Sequence, residues 1–147
     1  MKAKEAGKRV SISKRIEWNM GHRIPNHEKD NNPNGHSFAL EVTLEGFIDD
    51  KSGMLVDLQL LKKIMNEHIV SRLDHSFVIW REDAVMTDFF AQNPELKHIV
   101  LEDIPTLENI LLWIRHSLEN AFSEFKTISL RRLRLWESST AYASVEM

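Results

Sequence analysis

GHRIPNHEKDNNPNGHSFALEVTLEGF, residues 21–47, decides both the fold class and where chemistry is to be sought. Its second half alternates: Leu40, Val42 and Leu44 face one way, and Glu41, Thr43 and Glu45 the other. That is the signature of a half-buried antiparallel strand, read over Phe38 to Phe47. Its first half, Gly21 to Gly35, holds two prolines, four asparagines and two glycines and reads as a structured loop. Upstream, Arg9 to Trp18 carries Val10, Ile12, Ile16 and Trp18 and reads as a first strand, irregular in its middle. The loop therefore joins two strands, and it carries His22, His27, Asp30, Asn34 and, at its exit, His36. Histidines flanking such a loop can converge at one sheet end, where imidazoles bind a divalent metal well. The plain alternative is a set of solvated loop histidines.

Working outward, Asp49 to Gly53 supplies a turn, and Asp57 caps a helix with the stripe Leu58, Leu61, Met65 and Ile69. A shorter helix is expected over Asp83 to Gln92, with Val85, Met86, Phe89 and Phe90 on one side and Pro94 ending it. Pro105 and Thr106 open the clearest helix, with the stripe Leu107, Ile110, Leu111, Ile114, Leu118 and Phe122, and Glu108 suits its first turn. Ile128 to Trp136 and Ala141 to Val145 read as strands, the first with a bulge near Arg131 or Arg132 where its apolar phase slips. The expected fold is α+β, a four-stranded antiparallel sheet with two main helices on one face, in a single domain over 1–147.

Composition narrows the function. The chain is 42% hydrophobic and 28% charged with a formal charge of -3, so neither nucleic acid nor a membrane surface is an expected partner. It has no cysteine, which excludes disulfides and thiolate chemistry. Met1 to Arg9 is polar and lysine-rich, unlike a signal peptide, and no apolar run would span a bilayer, so a cytoplasmic location is expected. Trp18, Trp80, Trp113 and Trp136 read as packing residues, and His68, His98 and His116 do not cluster with a second ligand.

GHRIPNHEKDNNPNGHSF, SGMLVDLQLLKK, RLDHSF, IPTLENILLWI and LRLWE follow one another in the order of the motif series of the 6-pyruvoyl- and 6-carboxy-tetrahydropterin synthase family. The chain resembles that family from about Ile16 to about Val145. The resemblance implies a tunnelling fold (T-fold) whose subunits join into an oligomeric barrel, a trimer or hexamer, with a pterin pocket between subunits. It implies zinc (Zn2+) held by three histidines, of which His22 and His36 match the first and last. The middle one is replaced by Asn34, a neutral amide and a poor zinc ligand, so a third ligand would come from Asp30, Asn34 or His27. The family's catalytic cysteine is matched by Asp30, whose carboxylate would serve either as base or as ligand.

By the same resemblance, Asp74 and His75 match a proton-relay pair. Glu137 matches the anchor for the 2-amino-pyrimidinone edge of a pterin, and Thr106 and Glu108 line the same pocket. Ser138 to Ala141 departs from the family's commoner continuation. Three functions are in play: a metal-dependent lyase-type synthase acting on 7,8-dihydroneopterin triphosphate or a related pterin, in tetrahydropterin or 7-deazapurine precursor pathways such as queuosine biosynthesis; a carboxylate-based enzyme on a dihydropterin; and a pterin- or purine-binding protein without turnover. The sheet edges invite pairing with neighbouring copies, so sedimentation at micromolar concentration is expected to show a homo-oligomer, and a stable monomer would contradict it.

Overall fold

The computed structural model describes residues 7–147; residues 1–6 of the polar amino-terminal segment lie outside the described residues. Two fourteen-residue strands, β1 (Arg9–His22) and β2 (Asn34–Phe47), pair antiparallel in unbroken register from Arg9↔Phe47 to His22↔Asn34. Both run further toward the loop than their apolar alternation does. The extra residues are held by backbone pairing, which polar side chains and glycine do not prevent.

After β2 the chain turns at Asp49, whose backbone carbonyl accepts from Gly53 and whose side chain accepts from Ser52 N–H at 2.8 Å. Gly53 takes φ +73°, a left-handed conformation that glycine adopts at no steric cost. Helix α1 (Leu58–Met65) is capped by Asp57, continues through a π-helical stretch, Asn66–Val70, and ends in a short turn, α2 (Ser71–Leu73). Leu61, Met65 and Ile69 are buried as their spacing predicts, but Leu58 lies on the exposed side. Helix α4 (Leu107–Phe122) is capped by Thr106 and buries Ile110, Leu111, Ile114, Leu118 and Phe122. Each such apolar side chain contributes roughly 1.5–3 kcal/mol relative to an exposed position. They pack with Phe38, Leu40, Val42 and Leu44 of β2 and with Leu133 and Leu135 of β5 (Ile128–Trp136).

The sheet has six strands, not four, in the order β4-β3-β1-β2-β5-β6, where β6 is Tyr142–Glu146. The two additional strands, β3 (Phe77–Trp80) and β4 (His98–Leu101), flank helix α3 (Ala84–Gln92). They join the carboxyl end of β1 through parallel pairings at Gly21↔Phe77 and Phe77↔His98, so the sheet is mixed and not purely antiparallel. At four residues each these strands are too short to show alternation, and Val78 and Ile79 are both buried because both faces of β3 are covered. Val78 joins the main core, whereas Ile79 packs with Met86 and Phe90 of α3. Successive strand residues point to opposite faces, so α3 covers the face turned away from α1 and α4. Helices therefore sit on both faces at this end of the sheet. Val85 and Phe89, expected on the apolar side of α3, are exposed.

The expected bulge is present: Thr43 pairs with Arg132 and Leu44 with Leu130, leaving Arg131 as the extra residue. Two residues further along β2 the chain must pass close to the Thr127–Ile128 backbone, and Gly46 is the residue that allows this, since a Cβ there would collide with the Thr127 carbonyl and Leu55. Gly46→Ala is therefore expected to destabilise the fold by about 1–3 kcal/mol, the range for overpacking. Urea denaturation checks it, and an unchanged midpoint would show that the strand end relaxes freely.

Candidate metal and substrate site

The β1–β2 register decides which loop-flanking residues meet. His22 lies opposite Asn34, and His36 opposite Met20, so both imidazoles stand on the core face at the open end of the sheet. Glu137 arrives from the end of β5. It follows Trp136, which pairs with Ala39, and so comes opposite Phe38 on that same face. Phe38 is fully buried and forms the floor, its ring 5.9 Å from that of His22 and 5.6 Å from that of His36.

Three side chains thus converge. One ligand atom from each of His22, His36 and Glu137 lies within 4.8 Å of the others. Glu137 Oε1 is 3.4 Å from His22 Nε2 and 3.0 Å from His36 Nε2. His22 is buried, and its Nδ1 donates to the backbone carbonyl of Pro105 at 2.7 Å, which leaves the lone pair of a neutral ring on Nε2. That Nε2 is buried with no hydrogen-bond partner among the described residues. Its 3.4 Å approach to Glu137 is then a meeting of two lone-pair atoms, which is favourable only with positive charge between them. A divalent cation supplies that charge, and a carbonyl holding the second ring nitrogen is the usual support of a ligating histidine. The residues present fit a metal.

His36 is held differently. Asn34 Nδ2 donates to the Asn32 carbonyl at 2.9 Å, which turns Asn34 Oδ1 toward His36 Nε2 at 2.8 Å. A His36 Nε2 that donates to this amide oxygen carries its proton there, so ligation of a cation at Nε2 would replace that hydrogen bond.

Asp30 does not reach this cluster by any recorded contact. Its backbone carbonyl accepts from Ile24 N–H at 2.9 Å, and its side chain, 41% exposed, lies 3.5 Å from His27 Nδ1. That nitrogen already accepts the backbone N–H groups of Asp30 and Lys29. His27 therefore caps its own loop. Arg23, next to His22, ties the same loop to α3 through Asp83 at 3.5 Å and Asn31 at 3.1 Å. Asp83 is buried and also caps α3, accepting from Met86 N–H.

Asp74 and His75 meet on the other side of β1. His75 takes φ 58°, which brings its Nδ1 to 2.9 Å from Asp74 Oδ1, and its N–H donates to the Asn19 carbonyl at 2.7 Å. Burial pushes the Asp74 carboxyl up, but the Asn19 N–H, His75 and Lys97 together outweigh it and hold the carboxyl below its ordinary range. Asp74 is ionised at neutral pH and can hold a proton on His75 Nδ1. A cleft of 610 Å³ on the α3 side of the sheet is walled by Asn19, His75, Phe77, Phe89 and Lys97; it touches His36 but neither His22 nor Glu137. Its volume suits a small heterocyclic ligand. Thr106 spends its hydroxyl on the α4 cap, accepting from Asn109 N–H at 3.2 Å, and Glu108 is exposed in the first turn.

Sequence reasoning missed three features: the Pro105 carbonyl behind His22, the Arg23–Asp83 pair, and the seating of Glu137 against both histidines. The PT segment and the HR pair were visible signals for the first two. The third depends on a β2–β5 register displaced by the bulge, which no single strand reveals.

The model of the 6-pyruvoyl tetrahydropterin synthase family matches residues 11–147. A 6-carboxy-5,6,7,8-tetrahydropterin synthase of Rickettsia bellii is 27% identical over 137 residues, covering 92% of this chain and 99% of its own. A dihydroneopterin monophosphate aldolase of Pyrococcus furiosus is 34% identical over 105 residues, covering 71% of this chain and 70% of its own. An uncharacterized protein of Wolinella succinogenes, 20% identical, has the same fold, with a TM-score of 0.80 over 95% of this chain and 99% of its own. With nearly its whole described length matched, this chain belongs to the 6-pyruvoyl tetrahydropterin synthase family.

Proposed function

We propose that this chain is a metal-assisted lyase-type enzyme acting on 7,8-dihydroneopterin triphosphate or a related dihydropterin, built as one domain and assembled as a homo-oligomer. The observation that carries this reading is the convergence of His22, His36 and Glu137 around a buried imidazole nitrogen without a partner. The names of the relatives, a tetrahydropterin synthase and a dihydroneopterin phosphate aldolase, support the substrate class. Assembly is supported by the outer edge of β1. Among the described residues its only strand partner on that side is β3 at Gly21 and His22, so Arg9 to Trp18 offers a long run of backbone groups to another chain. No helix among the described residues is long and apolar enough to cross a membrane.

A divalent cation such as zinc, held by His22 and His36, would supply Lewis-acid polarisation of a substrate hydroxyl or carbonyl. The Pro105 carbonyl keeps His22 in the ligating tautomer. Asp74 orients His75, whose proposed role is to take or give a proton at the substrate side chain. Thr106 holds the turn that presents the Pro105 carbonyl, and Glu108 faces a ligand shared with a neighbouring copy. Asp30, on the loop between the two ligating strands, is the proposed base in place of a thiolate, and the fold of its loop must bring it inward for that role.

A second reading, a pterin-binding protein without turnover, is favoured by the outward placement of Asp30 beside His27. Incubating zinc-loaded protein with 7,8-dihydroneopterin triphosphate separates the two. The enzyme reading expects substrate loss and a chromatographically distinct product, abolished by a chelator and restored by zinc. Neopterin binding without substrate loss would leave the binding reading. Asp30→Asn is expected to reduce turnover by about 100-fold or more with bound metal unchanged, the scale of a lost general base. Full turnover in that variant would remove Asp30 from the chemistry.

A further inference from the structure

We infer that Glu137 is the third protein ligand of the metal centre and does here the work of the imidazole that Asn34 has replaced. The inference rests on the reading that the His22–His36 cluster holds a divalent cation. Separations carry it. Ligand atoms about 2.0–2.1 Å from a tetrahedral zinc lie about 3.3 Å from one another. Glu137 Oε1 stands 3.0 Å from one imidazole nitrogen and 3.4 Å from the other, so a single oxygen already occupies a ligand position relative to both.

The other candidates fit less well. His27 Nδ1 accepts two backbone N–H groups of its own loop, and the Asp30 carboxylate lies beside it. Asn34 Nδ2 is held by the Asn32 carbonyl and its Oδ1 lies 2.8 Å from His36 Nε2, but that oxygen is a neutral amide and a weaker zinc ligand than a carboxylate. Charge points the same way. Two neutral imidazoles and an amide oppose none of a cation's double charge, whereas a carboxylate cancels half of it. Two histidines and a glutamate also form a known catalytic zinc set, which leaves the fourth position open for substrate oxygen.

The fold explains how an acid comes to this position. Because Arg131 is the extra residue of the β2–β5 ladder, the phase beyond it places Leu133, Leu135 and Glu137 on the core face. Glu137 then follows the two leucines out of the core to the open end of the sheet, where the histidines are. One consequence concerns specificity. With Oε1 directed at the histidines, Glu137 cannot offer both oxygens to a 2-amino-pyrimidinone edge while the cation is bound. The heterocycle must then be recognised by other groups or by a single Glu137 oxygen.

The test is zinc affinity of the full chain after stripping with a chelator, with cobalt(II) absorption as a second readout of the ligand set and neopterin titration run separately. Outer-shell partners alone change metal affinity by about 10–100-fold, so loss of a ligand in Glu137→Gln is expected to weaken zinc binding by about 100-fold or more. Adding Asn34→His to that variant is expected to restore binding, which also shows that Glu137→Gln still folds. Asn34→Ala alone is expected to weaken zinc binding by no more than the outer-shell range of about 10–100-fold, and by less than Glu137→Gln does. Wild-type zinc affinity in Glu137→Gln, whatever its neopterin affinity, would overturn the assignment. Zinc uptake by no form of the chain, with neopterin still bound, would instead sink the metal reading beneath it.

Discussion

The ladder between β1 and β2 is the constraint on which the rest depends. Fourteen consecutive pairs leave no freedom of register, and a slip of one residue would turn every core side chain to the other face. Trp18 and Met20 on one strand and Phe38, Leu40, Val42 and Leu44 on the other are all buried, so the apolar pattern holds that register firmly. His22 and His36 sit at the end of the same alternation. They inherit their positions from the core residues, and their convergence costs the protein no separate device. The eleven-residue loop between the strands is thereby released from holding the ligands, and it can vary.

That division of labour gives a physical account of the two departures at Asp30 and Asn34. Both lie on or beside the loop, where change perturbs no core packing. Losing one imidazole would leave a weak site if nothing else reached it. Glu137 does reach it, from a strand whose register is set independently by its own bulge and by burial of Leu133 and Leu135. The centre therefore draws on three strands and on the turn before α4, whose Pro105 carbonyl fixes the inner ring. Its parts are preorganised by elements that also make the core, which is the arrangement expected of a site that must hold a cation in one geometry.

Much of this was legible in the sequence, for identifiable reasons. The alternation of Phe38 to Phe47, the cap Asp57, the helix starts at Asp83 and Thr106, the α4 stripe and the slip near Arg131 are local signals, and each corresponds to an observed element or bulge. The strands Phe77–Trp80 and His98–Leu101 were not legible, because they are short and paired in parallel across long separations. At the site, proximity of His22 to His36 followed from their flanking one loop. The approach of Glu137 did not, since it requires two strand registers at once. The outward orientation of Asp30 is likewise a property of loop hydrogen bonds that composition does not report.

The central claim is that His22, His36 and Glu137 form one metal centre at the end of the sheet. Anomalous diffraction at the zinc edge from crystals of the zinc-loaded protein tests it most directly. The account predicts one strong peak per chain within about 2.0–2.2 Å of His22 Nε2, His36 Nε2 and a Glu137 oxygen, with Asn34 and Asp30 outside bonding distance. A peak bonded to Asp30 or His27, with Glu137 turned away to a pterin ring, would contradict it.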